Sequence, residues 1–201
     1  MGKSSAFRNG LVTYRLEKRL TRLGLDLNLF WLFREGTTTD EDSSAELTNT
    51  YPSSILESSD LESATAYESW HTVESFQSRL NEGHVCIAVK DAGRVIGFTW
   101  ANPRNVHDSA CDYPLESGEA YLYDAYVAPA YRGKGLAPYM RKECYRHLHQ
   151  LGIESYFSIS DYFNTPAVRF KKKLRAIPVR LFLKIAVGRR FRRTWVLRDY
   201  A

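Results

Sequence analysis

The chain has 201 residues, 44% hydrophobic and 25% charged, enough to bury about 70% of the surface its unfolded form exposes, and its composition excludes a mainly disordered, collagen-like or disulfide-scaffold protein. The net charge of +5 is unevenly spread, with +5 on residues 1–34, −13 on 35–130 and +13 on 131–201, a pattern that predicts two ligand faces of opposite sign rather than a uniformly basic surface. Cys86, Cys111 and Cys144 stand far apart without a C-x-x-C pair, which argues against a zinc ribbon and fits a reducing cytoplasm.

Leu16, Leu20 and Leu23 recur among Arg15, Lys18, Arg19 and Arg22, predicting a basic amphipathic helix over 10–23 that stops at Gly24. Residues 1–24 thus read as an N-terminal helical extension, open to roles as a cleft cover, a dimer interface or a tether to an anionic surface. The N-terminus has no apolar run long enough for a signal peptide or a membrane helix, so no membrane span is expected. Residues 25–33 alternate as a strand, and the Ser-, Thr-, Asp- and Glu-rich stretch 36–66 reads as an acidic loop with one or two short helices. A helix over 69–80 ends at Asn81-Glu82-Gly83, and strands at 84–90 and 95–100 flank Asp91-Ala92-Gly93-Arg94 as a hairpin. A Pro-, Asn-, Asp- and Ser-rich loop over 102–118 leads to a tyrosine-dense strand at 119–127. Leu136, Met140, Cys144, Leu148 and Leu151 share one face of a helix that ends at Gly152. A strand at 155–160, a helix near 165–174 and strands at 178–187 and 191–198 follow. This order predicts one α/β (α+β) domain over 25–201, with a mixed central sheet of about seven strands flanked by helices.

The chemistry concentrates in Tyr126-Val127-Ala128-Pro129-Ala130-Tyr131-Arg132-Gly133-Lys134-Gly135-Leu136-Ala137. A strand here runs into a basic, glycine-containing turn that opens a helix. Such a turn aims several backbone N–H groups and the helix's partial positive charge at one spot, and its glycines let a pyrophosphate approach the backbone closely. Pro138 breaks the G-x-G-x-x-G dinucleotide pattern, and no P-loop is present.

The segment resembles the GNAT superfamily of acyl-CoA-dependent N-acetyltransferases, whose pyrophosphate loop reads R/Q-x-x-G-x-G/A after a strand ending V-x-P. Arg132, Gly135 and Ala137 stand at its three defined positions. The resemblance implies transfer of an acetyl group from acetyl-CoA to an amine acceptor by direct attack in a ternary complex, with no metal. It further implies a CoA-binding core over about 119–175. There Arg132, Gly133, Lys134, Gly135, Leu136 and Ala137 would surround the pyrophosphate, while the N–H groups of Tyr126 and Val127 would hold the acetyl carbonyl and pantetheine amides. Asn164-Thr165-Pro166-Ala167 matches a second family feature, which would set Asn164 on the pantetheine or phosphate region; Asn164 also suits a plain helix N-cap. Seven residues beyond that Asn the family often carries a Tyr that protonates the departing thiolate, but this chain has Lys171, and the family's Gly-Phe pair falls on Arg175 and Ala176. Lys171, Lys172, Lys173 and Arg175 are then either contacts for the 3'-phosphate or a solvated basic face.

Acetyl transfer needs a neutral amine, an oxyanion donor and a protonated leaving thiol. On the strand 119–127, Glu119 and Asp124 offer carboxylates, and Asp124 is the first candidate for the base because burial among aromatics would raise its pKa. Strict alternation sets it on the face opposite Tyr121 and Tyr123, leaving a structural hydrogen-bond role as the other reading. Tyr121, Tyr123 and Tyr162 are candidates for the missing acid, with His107 and Asp161 as secondary base candidates. His147 and His149, at i, i+2 on a helix, diverge and do not suggest a metal site.

The acidic middle block favours a cationic or neutral polar acceptor. Two other readings stay open: a CoA-sensing domain that has lost catalysis, and a nucleic-acid module built on Phe191 and Trp195 with Arg189, Arg190, Arg192, Arg193 and Arg198. Against the latter, an alternating strand spreads those charges over two faces and no RRM, KH or helix-turn-helix signature is present, so nucleic acid is not an expected partner. A homodimer is left open.

Overall fold

Alternating apolar residues bring seven strands to the positions read from the sequence: β1 (Leu25–Glu35), β3 (Val85–Asp91), β4 (Arg94–Asn102), β7 (Glu119–Val127), β8 (Ser155–Asp161), β9 (Ile177–Val187) and β10 (Phe191–Asp199). Short strands β2 (Ser53–Ile55), β5 (Val106–His107) and β6 (Asp112–Tyr113) add to them. The helices are α1 (Ala45–Thr50), α2 (Leu61–Thr65), α3 (Val73–Asn81), α4 (Leu136–Gln150) and α5 (Thr165–Lys173). A computed structural model describes residues 25–36, 45–107, 112–188 and 191–200. The expected helix at 10–23, and Arg189 and Arg190, lie outside the described residues.

Local chemistry explains the boundaries. The helix expected from residue 69 begins instead at Val73, because Thr72 caps it: the Ser75 N–H donates to Thr72 Oγ1 (3.1 Å) and Ser75 Oγ accepts from the Thr72 N–H (3.2 Å). The β3–β4 hairpin closes on Ala92 (φ 45°) and Gly93 (φ 80°) between the paired Asp91 and Arg94, the two left-handed positions of a type I′ turn.

The described chain divides into two compact units interleaved in sequence. One contains β1 and residues 157–201. Its strand order is β10-β9-β1-β8, with β9 antiparallel to both β10 and β1. Phe30 and Phe182 face each other in register with their rings stacked at 5.3 Å.

The other unit contains residues 36–106 and 114–156 and has the order β7-β4-β3-β2, with antiparallel pairing throughout. Period two gives this sheet two apolar faces. Cys86, Ala88, Phe98 and Trp100 pack with Phe76 of α3 and Leu61 and Ala64 of α2. On the opposite face Ile87, Ala101, Ala120 and Leu122 pack with Cys144 and Leu148 of α4.

Alternation fails at one place. Phe98 pairs with Tyr126 but Trp100 pairs with Tyr123, so three residue steps of β7 oppose two of β4. The extra residue forms a β-bulge, and Asp124 within it takes φ 46°, a left-handed value uncommon for a side chain other than glycine or asparagine.

Candidate active site

After β7, a 3-10 turn at Pro129–Tyr131 leads into Arg132-Gly133-Lys134-Gly135, all exposed, and then into α4. Gly133 (φ 80°) and Gly135 (φ 78°) hold left-handed backbone that a Cβ would strain, and they turn the chain sharply into the helix. Gly135 is the N-cap of α4 and offers no side-chain acceptor, so the first-turn N–H groups of Leu136 and Ala137 stay open to an anion.

Four contacts brace this turn. Arg132 Nε donates to the Val127 carbonyl (2.9 Å) with its guanidinium 5.6 Å above the Tyr126 ring, and Lys134 Nζ lies 5.3 Å from the Tyr131 ring. Tyr131 donates its hydroxyl proton to Asp91 (2.5 Å). Beneath the turn Leu136 packs with Tyr139, Met140, Val89 and Ile96.

The two expected amide donors of β7 separate. The Ala128 N–H donates to the Ile96 carbonyl of β4 (2.8 Å). Alternation along the strand therefore aims the Tyr126 N–H toward β4 as well, and the Val127 N–H away from it. Of the two, only the Val127 N–H is left out of the pairing with β4.

In the other unit, Asn164 caps α5, accepting from the Ala167 N–H through Oδ1 (3.3 Å). Asp161 Oδ1 accepts from the Phe163 N–H (2.8 Å), and Tyr162 stacks on Trp31 (5.5 Å). Lys171 does not stand where a phosphate contact was expected. It is only 3% exposed, its ammonium lies 2.9 Å from Glu35 Oε1 and donates to Ser158 Oγ, and the Ser158 hydroxyl donates to the same Glu35 oxygen. The reason is local: β1 turns Glu35 inward, where it is 2% exposed, and a buried carboxylate demands a cation. Lys172, Lys173 and Arg175 stay exposed.

The bulge redirects Asp124. Alternation sets it opposite Tyr121 and Tyr123, but its carboxylate meets groups from the Tyr123 side of the sheet. Oδ1 lies 3.0 Å from His71 Nε2 and Oδ2 accepts from Arg79 Nη1 at 2.6 Å. Arg79 is itself held over the rings of Phe76, Trp100 and Tyr123, at 5.3, 5.1 and 5.3 Å. Both oxygens of the expected base are thus committed.

Tyr121 and Tyr123 stack in parallel at 5.7 Å. The Tyr123 hydroxyl lies 2.5 Å from His84 Nδ1, and burial pushes the Tyr123 phenol well up and the His84 imidazole down from their ordinary ranges. His71, Arg79 and His84 carry no sequence signal of their own. They converge because the capped α3 and the loop before it pack on the bulged strand. The side chain of His107 lies outside the described residues. Among the described residues no cluster of three or more His, Cys, Asp or Glu side chains suits a metal ion, and no helix is long and apolar enough to cross a membrane.

Comparison with known proteins adds independent information. A family model described as "Acetyltransferase (GNAT) family" matches residues 46–175. A mycothiol acetyltransferase of Pseudarthrobacter chlorophenolicus is 34% identical over 88 residues, which is 44% of this chain and 25% of that protein. The chain therefore spans about a quarter of that relative's length. Among solved structures, a GNAT-family protein from Novosphingobium aromaticivorans superposes with a TM-score of 0.57 at 16% identity, covering 82% of this chain and 67% of that one. The glucosamine N-acetyltransferase region of a fungal multi-domain beta-N-acetylglucosaminidase gives 0.59 at 15% identity, covering 86% of this chain and 22% of that one. At these identities the two structures speak to the fold alone.

Proposed function

The chain belongs to the GNAT acetyltransferase family, and from that premise we propose that it transfers an acetyl group from acetyl-CoA to an amine acceptor by direct attack in a ternary complex. The observation that carries this reading is the turn 132–137: two left-handed glycines, a helix start without a side-chain cap, and flanking Arg132 and Lys134. Each feature suits the pyrophosphate of CoA. In this reading the N–H groups of 133–137 bind the phosphates, Arg132 is preset by its bond to the Val127 carbonyl, and the outward Val127 N–H donates to the acetyl oxygen as negative charge develops there.

The acceptor is a cationic or neutral polar amine, because the acidic block 35–130 carries charge opposite to an ammonium. The buried free thiol of Cys86 suits a reducing compartment, and the cytoplasm is the proposed location.

The test is turnover. The full chain is incubated with acetyl-CoA and ethanolamine, glucosamine, spermidine or a lysine-containing peptide, and released CoA thiol and acetylated product are followed together. The expected result is enzyme-dependent acetylation of at least one amine. Binding of acetyl-CoA without turnover of any amine would favour the sensing reading, and absence of both would refute the proposal.

A further inference from the structure

We propose that His71 is the general base of this acetyl transfer, with Asp124 and Arg79 as the groups that orient it; the assignment rests on the acetyl-transfer reading above. His71 Nε2 lies 3.0 Å from Asp124 Oδ1. Because an ionised carboxylate only accepts, this contact places a proton on Nε2, so that in the neutral ring the lone pair is on Nδ1. Nδ1 is buried and has no partner among the described residues. Ser54 Oγ, Thr99 Oγ1 and Trp100 Nε1 are also buried without a partner among those residues, but His71 Nδ1 is the one basic atom in that group. A buried basic nitrogen left open, beside a fixed carboxylate, is suited to receive a proton from a ligand.

The surroundings hold this geometry on every side. The His71 ring meets Phe76, Phe98 and Tyr126 edge-on at 5.4, 5.2 and 6.0 Å, and Trp70, 67% exposed, covers it from the loop before α3 at 5.7 Å. The bulge that swings Asp124 toward His71 keeps a non-glycine residue at φ 46°. Such backbone persists only where the surroundings over-determine it, and here Arg79 clamps the second oxygen at 2.6 Å. Asp124 lies three residues before Val127, the proposed donor to the acetyl oxygen. The carboxylate that orients the base thus stands on the strand that would hold the thioester.

The step balances without a further reactant. An acceptor ammonium gives one proton to His71 Nδ1, directly or through one water, and its freed electron pair attacks the acetyl carbonyl carbon to form the C–N bond. Collapse of the tetrahedral intermediate breaks the C–S bond, whose electron pair leaves with sulfur. The second amine proton passes to that thiolate, and the imidazolium returns its proton to solvent.

His71→Gln tests the assignment, because the Gln amide retains a donor toward Asp124 while removing the base; His71→Asn is the second variant should the first fail to fold. The measurement is kcat/KM for the best amine of the panel from about pH 7 to about pH 9.5, where alkylamines begin to lose their proton unaided. Among the described residues Asp124 faces His71 and carries Arg79 on its other oxygen, with Tyr126 across the ring and Glu68 in the same loop. We expect a loss of about 100-fold at neutral pH that shrinks steadily as the pH rises, with acetyl-CoA affinity by calorimetry unchanged. A loss of the same size at every pH is what a packing role gives and would overturn the assignment alone. No turnover by wild type on any amine would instead overturn the transfer reading, and this assignment with it.

Discussion

Replacing Lys171 with Met strips the ammonium from a carboxylate, Glu35, that is 2% exposed, while leaving the length and most of the volume of the side chain in place. Glu35 then has two options at pH 7. Staying ionised with its cation gone costs about 3–5 kcal/mol. Taking up a proton costs about 1.4 kcal/mol for each pH unit above the ordinary glutamate value of about 4.3, or roughly 4 kcal/mol at pH 7 and roughly 1 kcal/mol at pH 5. Both routes give a loss near 4 kcal/mol at pH 7, which for a chain of this size is a drop of about 8–16 °C in Tm. The sign follows from linkage: the protonated carboxyl of the variant is favoured below its raised pKa, so the penalty grows as pH rises. Urea denaturation of wild type and Lys171→Met at pH 5 and pH 7 reads both numbers. The double variant Lys171→Met/Glu35→Gln should recover most of the loss. A penalty below about 1 kcal/mol at pH 7, or one that ignores pH, would show that Lys171 faces solvent, as the charge run at 171–173 first suggests.

Two further predictions are independent of that pair. Gly133 and Gly93 share φ 80° and open space around a notional Cβ, so either Gly→Ala change costs about 1–2 kcal/mol of backbone strain. Only Gly133→Ala should also weaken acetyl-CoA binding, roughly tenfold by calorimetry; equal affinities of the two variants would remove the turn from the binding site. Burial pushes His84 and His147 down from 6.5, so as pH falls below that value the unfolded chain takes up protons that the native one resists and stability drops. His84→Gln should flatten the fall in urea midpoint between pH 7.5 and 5.5, and an unchanged slope would contradict the burial of His84.

The strands and helices were legible because their signals are local. The run Leu136, Met140, Cys144, Leu148 marks α4 by period, and Ala92-Gly93 supplies the positive φ values that its hairpin needs. The glycine turn at 132–135 was equally legible as a turn, since glycines, a strand end and a helix start lie within a dozen residues. Asp124 shows where locality fails. Its face depends on a bulge, and nothing between Glu119 and Val127 marks one; the mismatch exists only in register against β4. Lys171 fails for a related reason. Three consecutive lysines suggest a wetted face, and what buries the first of them is Glu35, 136 residues earlier in the chain. His71 and Arg79 are single polar residues in and before a capped helix, and they become a constellation only when α3 packs on β7.

The most direct test of the central claim is titration of acetyl-CoA into the full folded chain by isothermal calorimetry. The account predicts saturable one-to-one binding that Gly133→Ala weakens and Gly93→Ala does not. No binding at millimolar acetyl-CoA would contradict it.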